Sequence, residues 1–146
     1  GGVVFSGSFG QSAFVARYDQ VGQLAWNHDL IREGEQFAGN FSIDPLVVDD
    51  EVVIGGGLPP GSVDFGGGAL VTPPEQLRPF LARYDLAGAH LASVTYEDTT
   101  FAGFISGGRG PDGGLVFIGR FRDLLDLGDG PRVAVSKDMF LHRIEP

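Results

Sequence analysis

The chain of 146 residues has no cysteine, one lysine, one tryptophan and one methionine. Without cysteine there is no disulfide frame, no thiolate zinc site and no thiol nucleophile. Lys137 stands alone among nine scattered arginines, only Arg120 and Arg122 are close together, and the net charge is −9. A nucleic-acid binder normally needs a basic stripe to neutralise phosphates, so this acidic balance argues against that partner and against anionic membranes. No apolar run approaches ~18 residues, which excludes a helical membrane span. Apolar spacing at i, i+3, i+4 and i+7 is also missing. The best helical stretch, Glu75 to Leu81, is spoiled by Pro79. In excess is glycine, with 24 residues, roughly twice ordinary usage and without the Gly-X-Y period of collagen. Hydrophobic residues make up 42%, enough for a core.

Self-similarity organises what remains. Phe14-Val15-Ala16-Arg17-Tyr18-Asp19 returns as Phe80-Leu81-Ala82-Arg83-Tyr84-Asp85, and again, degraded, as Phe140-Leu141-His142-Arg143-Ile144-Glu145. The copies lie 66 and 60 residues apart. Before each copy runs an apolar element: Val3 to Phe9, Val52 to Leu58 and Leu115 to Phe121, with Gly7, Gly56 and Gly119 in register. After the first two copies come Asp19-Gln20-Val21-Gly22 and Asp85-Leu86-Ala87-Gly88, where glycine supplies the positive φ of a tight turn. A looser element follows Phe37-Ala38-Gly39 and Phe101-Ala102-Gly103. Its copies end in the acidic turns Asp49-Asp50-Glu51 and Pro111-Asp112-Gly113-Gly114.

Each element reads as a strand, being short, rich in branched and aromatic residues, and bounded by turn residues. Side chains alternate, so Phe80, Ala82 and Tyr84 share one face, and Leu81, Arg83 and Asp85 the other. The chain is therefore expected to be all-β. With the elements named A (after Phe37 or Phe101), B (the Val-Val run), C (the Phe-Ala-Arg-Tyr run) and D (Leu24 to Leu30, Leu91 to Tyr96), their order is BCD, ABCD, ABC. That predicts ten strands in one repeat domain with units 1–36, 37–100 and 101–146. The first and last units are partial and the middle one is complete. Repeats of this kind point to solenoids or propellers.

The motifs that carry this pattern resemble a bacterial β-propeller repeat class called SBBP-type, found in large secreted or surface proteins of myxobacteria and their relatives. Those repeats carry Gly-x-Phe, then Asp-Phe-Gly-Gly-Gly, then Asp-x-Phe-Leu-Ala-Lys-Tyr-Asp-x-x-Gly. Here Val63-Asp64-Phe65-Gly66-Gly67-Gly68 is similar to the middle motif, and Leu125-Asp126-Leu127-Gly128-Asp129-Gly130 to a worn copy. Phe80 to Gly88 carries the last motif, with Arg83 where lysine is usual. The first unit has only Gly10-Gln11-Ser12 in the middle position. The resemblance covers essentially the whole chain. It implies blades of four antiparallel strands and an extracellular or cell-surface setting, and it carries no catalytic residues.

Propellers close with roughly 4–8 blades, whereas about two and a half units are present. An incomplete ring leaves unpaired strand edges at both ends, which invite further pairing. The expected partners are therefore other copies of the chain or the rest of a longer propeller. The start at Gly1 without a charged, apolar leader also reads as a piece of something longer.

No catalytic constellation stands out. Gly108-x-Gly110-x-x-Gly113 matches the dinucleotide fingerprint in letters, but Pro111-Asp112-Gly113-Gly114 leads into another strand where that motif needs a helix. There is no phosphate-binding Gly-x-x-x-x-Gly-Lys-[Ser/Thr] and no Gly-x-Ser-x-Gly elbow. His28, His90 and His142 are far apart in sequence, and His142 replaces Ala16 and Ala82 of the repeat. Asp123, Asp126 and Asp129 are the candidates for a calcium site, although their three-residue spacing differs from the alternating ligands of an EF-hand loop. Asp44, Asp49, Asp50 and Glu51 form a second acidic group. Trp26 is the candidate for ligand contact, because an indole can stack on a sugar as well as fill a gap between blades. The expectation is a non-enzymatic scaffold or interaction module without a cofactor, binding protein. The alternative is a lectin-like propeller that binds glycans.

Overall fold

The computed structural model describes residues 1–9, 12–30 and 42–144. They form twelve β-strands and no helix. None of the described residues belongs to a helix long and apolar enough to cross a membrane.

Ten strands build three antiparallel sheets. The first has β1 (Val3–Phe9), β2 (Ser12–Tyr18) and β3 (Leu24–Leu30) in that order. The second has β4 (Ser42–Val48), β5 (Glu51–Leu58), β8 (Arg78–Asp85) and β9 (His90–Thr95). The third has β10 (Phe101–Arg109), β11 (Leu115–Leu125) and β12 (Arg132–Ile144). The expected groups of three, four and three strands are present in the expected order. Phe37, which marks the start of the middle unit, lies outside the described residues.

The remaining two strands are a hairpin that the sequence pattern did not predict. β6 (Gly61–Asp64) pairs with β7 (Ala69–Thr72) inside the long connection from β5 to β8. In the third sheet the corresponding hairpin is continuous with β11 and β12. Val63 pairs with Leu70, and Leu125 with Arg132; Gly61 pairs with Thr72, and Asp123 with Ala134. Even the unusual backbone is repeated, since Gly61 has φ 120° and Asp123 has φ 66°.

The repeat register is kept across all three sheets. Phe5 pairs with Ala16, Ile54 with Ala82, and Phe117 with His142. Gly7 pairs with Phe14, Gly56 with Phe80, and Gly119 with Phe140. A methyl group on Gly119 would sit 2.3 Å from the Phe140 ring, and one on Gly7 2.7 Å from Phe14. The glycine leaves room for the phenylalanine that crosses over it, which explains part of the glycine excess.

The turns close by one repeated device. Asp19 Oδ1 accepts the N–H groups of Val21 and Gln23, both at 2.9 Å. Asp85 Oδ1 accepts those of Ala87 and Ala89, both at 2.8 Å. Asp64 does the same with Gly66 and Gly68, and Asp126 with Gly128 and Gly130. Aspartate holds such turns because its short carboxylate reaches N–H groups two and four residues on. Those N–H groups also hold the Asp64 carboxyl below the usual carboxylate range.

Candidate functional site

Each sheet has two distinguishable faces. The front carries the repeated phenylalanine (Phe14, Phe80 or Phe140), and the back carries the residue after it (Val15, Leu81 or Leu141). The front of the second sheet packs on the back of the first. Val52, Ile54, Phe80, Ala82 and Tyr84 share one core with Ala13, Val15 and Leu30. The front of the third sheet packs on the back of the second. Phe104, Phe117 and Phe140 share the other core with Val53 and Leu81. Among the described residues the middle sheet is thus covered on both sides, while one face of each flanking sheet is left bare.

The seam between the first two sheets gathers Trp26, His28, Tyr84 and His90. The His28 ring stacks on Tyr84 with centroids 4.8 Å apart, and His90 meets Tyr84 edge-on at 5.9 Å. Trp26 Nε1–H donates to the Leu86 carbonyl at 3.1 Å, and His28 Nε2 lies 2.8 Å from the Gly88 carbonyl oxygen. The Tyr84 hydroxyl donates to the Phe65 carbonyl at 2.9 Å, and burial pushes its pKa up. Trp26 is therefore placed in the seam, half-buried, with its one polar atom satisfied by a backbone carbonyl 60 residues away.

His142 stands apart from the other two histidines, in the seam between the second and third sheets. Its Nε2 is 3.1 Å from the Tyr96 hydroxyl, and its ring lies near Phe104 and Tyr96. Burial pushes Tyr96 up to about 12. Burial likewise pushes His142 below the ordinary histidine value, against the attraction of Asp129. A group whose pKa is depressed by folding contributes its stability above the unfolded pKa, near 6.5, and loses it as pH falls. The melting temperature should therefore fall between pH 7.5 and 5.5 more in the wild type than in His142→Ala, the residue of the other repeats. Equal slopes in a pH series of thermal melts would sink this assignment.

A cleft of about 430 Å³ opens beside this pair, lined by Leu81, Arg83, Tyr96, Leu127, His142 and Ile144 among others. Its two arginines, Arg83 and Arg143, are already engaged, since Arg83 pairs with Glu51 at 2.7 Å and Arg143 with Asp112.

The calcium candidates do not converge. Asp126 closes its turn with Gly128 and Gly130. Asp129 forms a two-pronged pair with Arg132, at 2.8 and 2.5 Å. Asp123 occupies the left-handed turn position and lies 3.3 Å from Arg122. In the second acidic group, Asp49 pairs with Arg109 at 2.9 Å and Glu51 with Arg83, and the Asp44 side chain lies outside the described ones. Among the described residues no group of three His, Cys, Asp or Glu side chains is placed to share a metal ion. The glycines of the dinucleotide-like motif lie at the end of β10 and in the turn before β11, where Gly113 N–H donates to the Gly110 carbonyl at 3.1 Å.

The feature that sequence reasoning missed is the pair of bare faces. Val3 and Phe5, on the front of the first sheet, are 50% and 52% exposed. Leu141 and Met139, on the back of the third, are 66% and 64% exposed. The repeat alignment held the signal, because the residues matching Phe5 and Leu141 in the middle sheet, Ile54 and Leu81, are buried. No family model matches the chain, and no curated protein matches its sequence.

Proposed function

We propose that this protein is a non-enzymatic interaction module made of blades of the β-propeller type, acting as a scaffold outside a bacterial cell. The observation that carries the reading is the front-on-back stacking of sheets that share one pairing register. Radial stacking of small antiparallel sheets is how a propeller covers its faces. The extracellular setting follows from the resemblance to SBBP-type repeats. The side chains with chemical potential support a scaffold as well. Tyr84, Trp26 and His28 bind one another and the backbone across a seam, and five arginines pair with carboxylates.

Two copies joined in tandem by a flexible Gly/Ser linker test the blade reading. Six sheets fall within the usual range of propeller closure, roughly 4–8 blades. Negative-stain electron microscopy should show a ring with a central channel. Two separate lobes, or a straight stack without curvature, would overturn the propeller reading.

A further inference from the structure

We propose that the bare front of the first sheet is the docking site for the bare back of the third sheet of a second copy of this chain. The proposal rests on the blade reading and adds the occupant of its two ends.

The internal seams establish what these faces fit. Twice within the chain a front of Phe, Ile or Tyr closes on a back of Val and Leu. The front of the first sheet offers the same set once more. Val3 pairs with Tyr18 as Val52 pairs with Tyr84, and Phe5 pairs with Ala16 as Ile54 pairs with Ala82. Covered by the first sheet, Val52, Ile54, Phe80 and Tyr84 are each 0% exposed. Their counterparts Val3 and Phe5 are half exposed, and Phe14 and Tyr18 only partly buried. The back of the third sheet offers the other half of the seam. Leu141 and Val116 match Leu81 and Val53, which the third sheet itself buries to 5% and 2% exposure. Ile118, paired with Leu141, extends that apolar surface.

Charge also favours one end meeting the other. Asp29 lies opposite Phe14 and so shares the front face of the first sheet. Arg120 lies opposite Met139 on the back of the third. A front meeting a front would bring two aspartates together, and a back meeting a back two arginines. Front on back brings opposite charges to one seam. An apolar sheet face of this kind marks an association surface. Because the two halves differ, the contact is head-to-tail, which closes into a ring when the rotation permits.

Light scattering coupled to size-exclusion chromatography tests this with two variants. Phe5→Lys blocks the front end and Leu141→Lys blocks the back end, both at exposed positions. The wild type should run above the 15.5 kDa of one chain. Each variant alone should be a monomer, and an equal mixture of the two should be a dimer, because one intact front meets one intact back. A misfolded variant could not form that dimer. If circular dichroism shows that either has lost its fold, Val3→Lys and Met139→Lys replace them. A folded wild type that stays monomeric at every attainable concentration overturns the self-docking and leaves the blade reading to the tandem ring. If one variant dimerises alone while the other is monomeric, the contact joins like faces and the head-to-tail assignment is wrong.

Discussion

Phe80→Ala should destabilise the chain by about 3–5 kcal/mol, the range for truncating a buried phenylalanine, while Phe14→Ala should cost far less. The two residues hold the same place in the repeat, each crossing a glycine on the neighbouring strand. Phe80 is 0% exposed and stacks on Phe65 at 4.8 Å, under the cover of the first sheet. Phe14 faces outward and is only half-buried, so truncation removes fewer contacts and leaves no closed cavity. Phe140, at 8% exposure, should fall near Phe80. Urea titrations of the three alanine variants, at dilutions where the chain is monomeric, give the comparison. Equal losses at Phe14 and Phe80 would show that the first sheet does not cover the second as described.

Gly88→Ala should cost about twice as much as Gly22→Ala, although both glycines close the same repeated turn. Gly22 has φ 80° and Gly88 has φ 90°, so each substitution carries the left-handed penalty of about 1–2 kcal/mol for a residue with a Cβ. A Cβ on Gly22 would meet nothing within 4 Å, whereas one on Gly88 would lie 2.8 Å from Trp26 Cγ. The indole cannot swing away without losing its hydrogen bond to Leu86. Overpacking of that kind adds about 1–3 kcal/mol. Trp26 is the sole tryptophan, so its emission reports the seam directly. Gly88→Ala should shift that emission in the folded state and Gly22→Ala should leave it unchanged. Matching stability losses, or an unshifted spectrum in Gly88→Ala, would count against the seam.

Strand positions were legible because they depend on local chemistry. Alternation in Phe80 to Asp85 and the turn residues of Asp85 to Gly88 act within a few residues. The hairpin of β6 and β7 escaped because its strands are only four residues each, too short for alternation to stand out among the surrounding glycines. Asp126 read as a possible ligand for a similar reason. A turn aspartate and a metal ligand share one residue type, and only the direction of the carboxylate, here toward the Gly128 and Gly130 N–H groups, separates them.

By itself the sequence determined the all-β character, the repeat register and the turns, since each rests on residues close together in the chain. Only the tertiary structure decided which faces are covered. Phe5 and Ile54 are equivalent by repeat, yet one is half exposed and the other buried. The difference comes from the sheet packed against Ile54, whose residues Val15 and Leu30 lie far from it along the chain. Burial of a sheet face is a non-local quantity. Repeated sequence can therefore specify equivalent faces, and their neighbours in space determine which become core and which remain exposed.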